Sequence, residues 1–447
     1  MIAIEGGTLI TGDGRTVQPL GSLLIEGGLI RDILPPGQEV SGPALKERID
    51  ARQKDVFPGL MNNHAHGVTG GPLFASAAPA LSEEQVRKNL HRHLLEGTTT
   101  VINVDGFALK EEVERARRLS PLRIEMTTIN TPLNLEAALQ ADGEGLSVRH
   151  RQNTWERMVS AGATVIGEIG AGATLGGMGQ DYLYIPKAIE GLTGRRLTPP
   201  EAKALKEAVL GRYIDPGQFA PDKVERVLRN LDLPLTAARA REVVVECVLP
   251  SFQLALEGIF EAAEAARKAG LPMIVHNAAA SKRAIVDLCR RFGREVTLVL
   301  AHSNHATFEV EEALGHAREV REAGGVVDIT SGDFYGAGRL FSSPEITFAL
   351  LGAGVVDVIS TDYMGGFHDP ILLVLEKAIE RGAVSLPGAI ALATGNVARV
   401  FPQSAGRRGL LEKGRPADLV IAGEGRLSQV DYVLIGGRTV VRGGQVI

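Results

Sequence analysis

Short β-type runs alternate with longer helical patterns through the middle of this chain, and that alternation constrains its fold more than any other feature. A run carrying His64 and His66 precedes the helical pattern 83–95, which leads to a run at 101–104. The pattern 110–118 leads to 124–129, and 151–161 leads to 165–169. Further runs occupy 273–276, 296–302, 326–330 and 355–361, with helical patterns such as 309–322 between them. Eight strands separated by helices predict a parallel sheet closed on itself, an α/β fold of the (β/α)8 type, with catalytic groups at the carboxyl ends of the strands.

The two ends of the chain read differently. Residues 1 to about 55 hold Gly6-Gly7, Gly12-Asp13-Gly14 and Gly27-Gly28 between alternating runs such as 22–26, and residues 408–447 repeat the style. Turn glycines at this spacing indicate small antiparallel β structure. The expected organisation is a TIM barrel over 57–404 and one composite β-sandwich domain built from 1–56 and 405–447. Between Ile169 and Pro272 lie about a hundred residues where one helix suffices. A helix over 199–211, a turn at 215–221, a helix over 222–231, and one long helix over 236–269, or two broken at Pro250, fill this stretch. A helical insertion at about 175–250 falls on the active-site face. Two readings stand for it: a lid, specificity element or oligomer contact, or a stability feature with no catalytic role.

With 447 residues, 44% of them hydrophobic and 23% charged, the chain has material for a large core. A net charge of -5 offers no basic field for a polyphosphate, so no nucleic-acid partner is expected. Cys247 and Cys289 are too few for a disulfide framework and read as ordinary buried thiols. The N-terminus lacks a signal-peptide pattern, and no stretch reaches about 18 uncharged apolar residues, so a cytoplasmic protein without membrane contact is expected.

Six side chains suited to divalent metals stand at the carboxyl ends of these runs: His64, His66, Glu168, His276, His302 and Asp362. An i, i+2 histidine pair on a strand shares one face. Six nitrogen and oxygen ligands, one a carboxylate able to bridge, match two ions: His64, His66 and Asp362 on one, His276 and His302 on the other, Glu168 between. Zinc is the first expectation, iron or manganese the alternatives. Such ions lower the pKa of bound water to about 7, and Asp362 then accepts a proton and returns it to the leaving group. His305, Tyr335 and His368 lie just beyond the sixth, seventh and eighth runs as candidate contacts for a small-molecule substrate. Thr361 reads as a neighbour orienting Asp362, Trp155 as a packing residue, and His91, His93, His150 and His316 as surface residues or neighbours of the ligands. The glycines of 170–177 lack a following Gly-Lys-Ser/Thr, so they suit a backbone passing close to the metals rather than a phosphate loop.

The segment Pro58-Gly59-Leu60-x-Asn62-x-His64-x-His66, the later His276, His302 and Asp362, and the closing Gly409-x-Leu411-x-x-Gly414-x-Pro-Ala-Asp418-Leu-Val resemble the amidohydrolase superfamily over nearly the whole chain. That resemblance implies a metal-dependent barrel with a split β-sandwich that hydrolyses amides, esters, ureas or imines, and a homo-oligomer, dimer or tetramer. Many relatives carry a carboxylated lysine on the fourth strand, where this chain has Glu168. A bridging glutamate with the full histidine set is similar to the enamidase group, which opens a cyclic amide beside a ring double bond. The long insertion departs from that group. Deaminase branches place a glutamate about three residues after the fifth-strand histidine, and 277–280 contain none. The resemblance therefore implies hydrolysis of a C–N bond in a small cyclic amide by a hydroxide bridging two metals. The alternatives are a mononuclear deaminase of a heterocycle, a hydrolase of a linear amide or carbamate, and a non-catalytic scaffold.

Overall fold

The computed structural model describes residues 1–38, 45–176, 179–332, 342–362 and 368–447. The N-terminal segment contributes β1 (Ile2–Ile10), β2 (Val17–Glu26), β3 (Leu29–Leu34), β4 (Glu47–Asp50) and β5 (Lys54–Pro58). The barrel strands are β6 (Leu60–Ala65), β7 (Thr98–Asn103), β8 (Arg123–Thr128), β9 (Val165–Ile169), β10 (Met273–His276), β11 (Leu298–Ala301), β12 (Gly325–Thr330) and β13 (Val358–Ser360). The C-terminal segment adds β14 (Leu419–Gly423), β15 (Arg426–Ile435), β16 (Arg438–Arg442) and β17 (Gln445–Val446).

Strands β6 to β13 pair in chain order, all parallel. A parallel neighbour can be reached only by a crossover, and helices such as Glu83–Leu95, Lys110–Arg117 and Val310–Glu322 supply it. Sheets covered on both faces read as continuous apolar runs, and every residue of β6, β7, β9, β10, β11 and β13 is buried. Met61, Ile102, Val165, Ile274, Val299 and Val358 fill the interior together with Val397 and Phe401. The ring closes where β13 meets β6. Asp362 donates its backbone N–H to His64 O (3.0 Å), and Thr361 exchanges bonds with the Asn62 side chain at 3.1 and 2.7 Å.

The two termini meet in a second sheet of nine strands. Its path runs β17-β16-β15-β14-β5-β1-β2-β3, with β4 beside β1. The join is β14 antiparallel to β5, Val420 opposite Phe57. Ile4, Leu9, Leu23, Ile30, Val56, Leu419 and Leu434 form its own core. This is the β-sandwich unit, and one detail departs from the sequence reading. Strands β4 and β5 run parallel to β1, because the chain crosses back after the β2–β3 hairpin before joining the sheet.

The insertion builds a third core from helices Ile185–Thr193, Pro199–Leu210 and Pro221–Asn230, with Ile189, Leu205, Val209, Val224 and Leu228 inside it. Ala237–Ala269 is one helix of 33 residues, unbroken at Pro250. Proline in a helix interior costs about 3 kcal/mol, and packing on both sides of it offsets that cost. Val243, Val244 and Val248 enter the insertion core, whereas Ala255, Ile259, Ala262 and Ala266 enter the barrel core. The helix is long and apolar enough to cross a membrane. Here its apolar residues are divided between those two cores.

Candidate metal centre

Glu168, in β9, occupies the middle of the ligand set. Its Oε1 lies 2.9 Å from His302 Nε2 and 3.2 Å from His276 Nδ1. Its Oε2 lies 3.4 Å from His66 Nε2 and 3.5 Å from His64 Nε2. Asp362 Oδ1 is 3.4 Å from His64 Nε2 and 3.6 Å from His66 Nε2. The carboxylate thus presents one oxygen to each histidine pair, and Asp362 belongs to the pair formed by His64 and His66. The side chain of Asp362 is 11% exposed, against 0–5% for the other five.

Local backbone features aim these side chains. Between Asn62 and Ala65, β6 carries one residue more than its partner, since Asn62 faces Val101 and Ala65 faces Asn103. Such an irregularity re-aims the strand's side chains. His302 follows β11 with φ +40°, and Asp362 lies just beyond β13 with φ +45°. Non-glycine residues rarely adopt this left-handed region, and those that do cluster at functional sites. Gly170, at φ +75°, lets the chain leave Glu168 closely, since a Cβ there would lie 2.1 Å from Leu175 Cδ1.

The donor set fits divalent cations. Nitrogen ligands at about 2.0–2.1 Å around a tetrahedral zinc lie roughly 3.3 Å apart, and the Nε2 atoms of His64 and His66 are 3.3 Å apart. One hydrogen cannot satisfy that pair together with two carboxylates. On the far sides of the rings, His64 Nδ1 and His302 Nδ1 are buried with no hydrogen-bond partner among the described residues, as is His276 Nε2. The cluster also attracts positive charge. Burial favours a neutral Glu168, yet the facing His64, His276 and His302 hold its carboxyl well below the ordinary range. Burial opposes charge on His66, but Asp105 and then Glu168 override it and push the imidazole up to about 10. Burial and His302 lower His276, while Glu168 and Asp362 raise His302 against its burial. Protons and metal ions compete for the same nitrogens here.

Two further carboxylates support the set and were missed by the sequence reading. Asp105 takes the His66 Nδ1 hydrogen at 2.7 Å and the N–H groups of Gly67 (2.7 Å) and Phe74 (2.9 Å). It directly follows the 101–104 run, so its strand-end position was the available signal. Asp328, in β12, accepts the His302 N–H (3.3 Å), the Ser360 hydroxyl (2.9 Å) and the Asn63 amide (3.2 Å). Burial pushes its carboxyl up to about 6.

The candidate substrate contacts fall in different places. His305 lies against the centre, its ring centroid 5.5 Å from that of His302 and 5.9 Å from that of His276. Burial, with His302 and His276 adding to it, holds this imidazole neutral, well below its ordinary value. His368 instead joins a separate cluster. Its Nε2 is 2.6 Å from Glu96 Oε2, its ring stacks on His93 at 5.4 Å, and Arg92 donates to its carbonyl. Tyr335 lies outside the described residues. Of the remaining histidines, only His91 is exposed. His316 bonds Asn277 at 3.0 Å behind His276, and His150 bonds Ser147 and Glu112. Thr361 ties β13 to β6 directly beside Asp362.

No protein-family model matches the chain. In sequence it is similar to imidazolonepropionase of Polaromonas sp. (strain JS666), 26% identical over 435 residues that cover 95% of this chain and 88% of that one. In fold it is similar to a β-aspartyl dipeptidase of Fervidobacterium islandicum AW-1, with TM-score 0.59, 14% identity, and 100% and 98% of the two chains covered. D-aminoacylase, described with a binuclear metal centre, gives TM-score 0.58 at 14% identity over 100% of this chain and 97% of that one. Sequence similarity and fold similarity both extend over nearly the full length, and the chain shares the overall fold of these proteins.

Proposed function

We propose that this chain is a metal-dependent hydrolase that opens a C–N bond of a small cyclic amide, with Glu168 bridging two divalent cations. The observation that carries the reading is the division of the Glu168 oxygens, Oε1 toward His276 and His302 and Oε2 toward His64 and His66. His64, His66 and Asp362 would hold one ion, and His276 with His302 would hold the other. Bound cations of this kind bring the pKa of water to about 7 and polarise a carbonyl.

The side chains divide the remaining work. Asp362 is the most exposed ligand, so it is the group able to take a proton from water and return it to the departing nitrogen. Asp105 and Asp328 hold His66 and His302 in place. The buried walls exclude bulk water, which strengthens each charge interaction. Similarity to imidazolonepropionase, named for an imidazolone ring, supports the cyclic class. The deaminase alternative lacks its glutamate: Asn277 is held by His316 and bonds Ser303, and alanines follow it.

The test is a panel of hydantoin, dihydrouracil and succinimide beside N-acetylated amino acids and β-aspartyl dipeptides, with ring opening and ammonia release followed separately. Ring opening without ammonia is the expected result. Ammonia release with the ring intact would overturn the reading in favour of a deaminase, and cleavage of the linear amides alone would overturn the cyclic class.

A further inference from the structure

His305 is 3% exposed, and its Nδ1 is fully engaged. The Thr307 backbone N–H donates to it at 3.1 Å, and the Thr307 hydroxyl lies 2.9 Å away. That hydroxyl accepts the Ala279 N–H at 3.1 Å, which leaves its own hydrogen free to point at Nδ1. A ring nitrogen that accepts a backbone N–H carries no proton of its own. The neutral ring therefore bears its hydrogen on Nε2. The far nitrogens of His64, His276 and His302 are enclosed without partners, but His305 Nε2 is not among the enclosed atoms. No described residue accepts its hydrogen. A single N–H donor of fixed tautomer is thus held beside the metal centre with no acceptor among the described residues.

We propose that His305 is a catalytic residue, a neutral electrophile whose Nε2–H hydrogen-bonds the oxygen of the amide carbonyl under attack. The assignment rests on the hydrolase reading above. As the water oxygen adds to the carbonyl carbon, the π pair of the C=O moves onto oxygen, and the N–H holds that developing charge. The pair returns when the C–N bond breaks, the nitrogen leaves with a proton from Asp362, and His305 keeps its own proton throughout. Locking Nδ1 as an acceptor is what guarantees a donor on the other side of the ring.

Two measurements on the metal-loaded enzyme test this. The first uses histidine-labelled protein and long-range 15N–1H correlation, with the His305 signal assigned by its absence in His305→Gln. A protonated Nε2 and bare Nδ1 between pH 6 and 9 are expected, and a protonated Nδ1 overturns the proposal. The second compares kcat on whichever of hydantoin, dihydrouracil or succinimide wild type opens. His305→Leu is expected to lose about 10²–10³-fold in kcat, with metal per chain unchanged. His305→Gln, which places an N–H near the same point, is expected to recover at least about tenfold of that loss. Unchanged kcat in His305→Leu, with wild type active, defeats the role of His305 alone. A wild type inactive toward every amide tested defeats the hydrolase reading and this assignment together.

Discussion

Nδ1 of His66 lies 2.7 Å from Oδ1 of Asp105, and this bond decides which nitrogen of the ring meets Glu168 and Asp362. The same carboxylate takes the N–H groups of Gly67 and Phe74, so the chain leaving β6 is pinned together with the imidazole. Carboxylates behind ligating histidines fix ring orientation and raise ligand basicity.

Replacing Asp105 by Asn is expected to weaken metal affinity by about 10–100-fold. Competition against a chelator of known affinity reads this directly. Equal affinity in the variant would mean that His66 is oriented by the fold without Asp105.

Asp362→Asn removes the exposed carboxylate and keeps its size. If Asp362 moves the proton, kcat falls by about 10²–10⁴-fold, while metal per chain declines far less. Metal analysis beside steady-state kinetics separates the two, and full activity in the variant would remove the proposed role.

Much of the architecture was legible because strand ends are marked locally. Short runs bounded by Gly, Pro or charged helix starts define the barrel strands, which span three to six residues, and Val165–Ile169 and Met273–His276 match the sequence reading to the residue. The side chains brought to the centre all sat at the ends of such runs. What escaped depends on contacts across the fold. Asp105 gains its role only from a ring 39 residues earlier. The parallel placement of β4 and β5 beside β1 follows from a crossover that glycine spacing does not encode. Pro250 lies inside a helix because two separate cores hold its flanks. His368 follows the Asp362 segment in sequence, yet Glu96 at the end of the first crossover helix binds it.

Gly170 and Gly194 have nearly the same positive φ, +75° and +73°, but different surroundings. An added Cβ meets Leu175 at 2.1 Å in the first and nothing within 4 Å in the second. Gly194→Ala is expected to cost about 1 kcal/mol of strain, and Gly170→Ala about 2–4 kcal/mol, since the core must also shift. Thermal melting of the two variants checks the order, and equal Tm values would contradict it.

His316 links stability to pH. Burial first, and Lys282 second, hold its imidazole down to about 4 from 6.5, with Glu312 opposing. The unfolded chain therefore takes up a proton that the fold refuses. Stability is fully present above pH 6.5 and is lost as pH falls through 4, by roughly 3 kcal/mol for this group. Urea unfolding at pH 7 and pH 4.5 is expected to show a smaller acid loss in His316→Gln than in wild type. Equal losses would assign the acid sensitivity to other groups.

The division of the Glu168 oxygens between two histidine pairs is the centre of this account. Elemental analysis of the purified protein, wild type beside Glu168→Ala, tests it most directly. Two divalent ions per chain in wild type, falling to one or none in the variant, is the expected result. One ion in wild type, unchanged in the variant, would contradict a bridging Glu168.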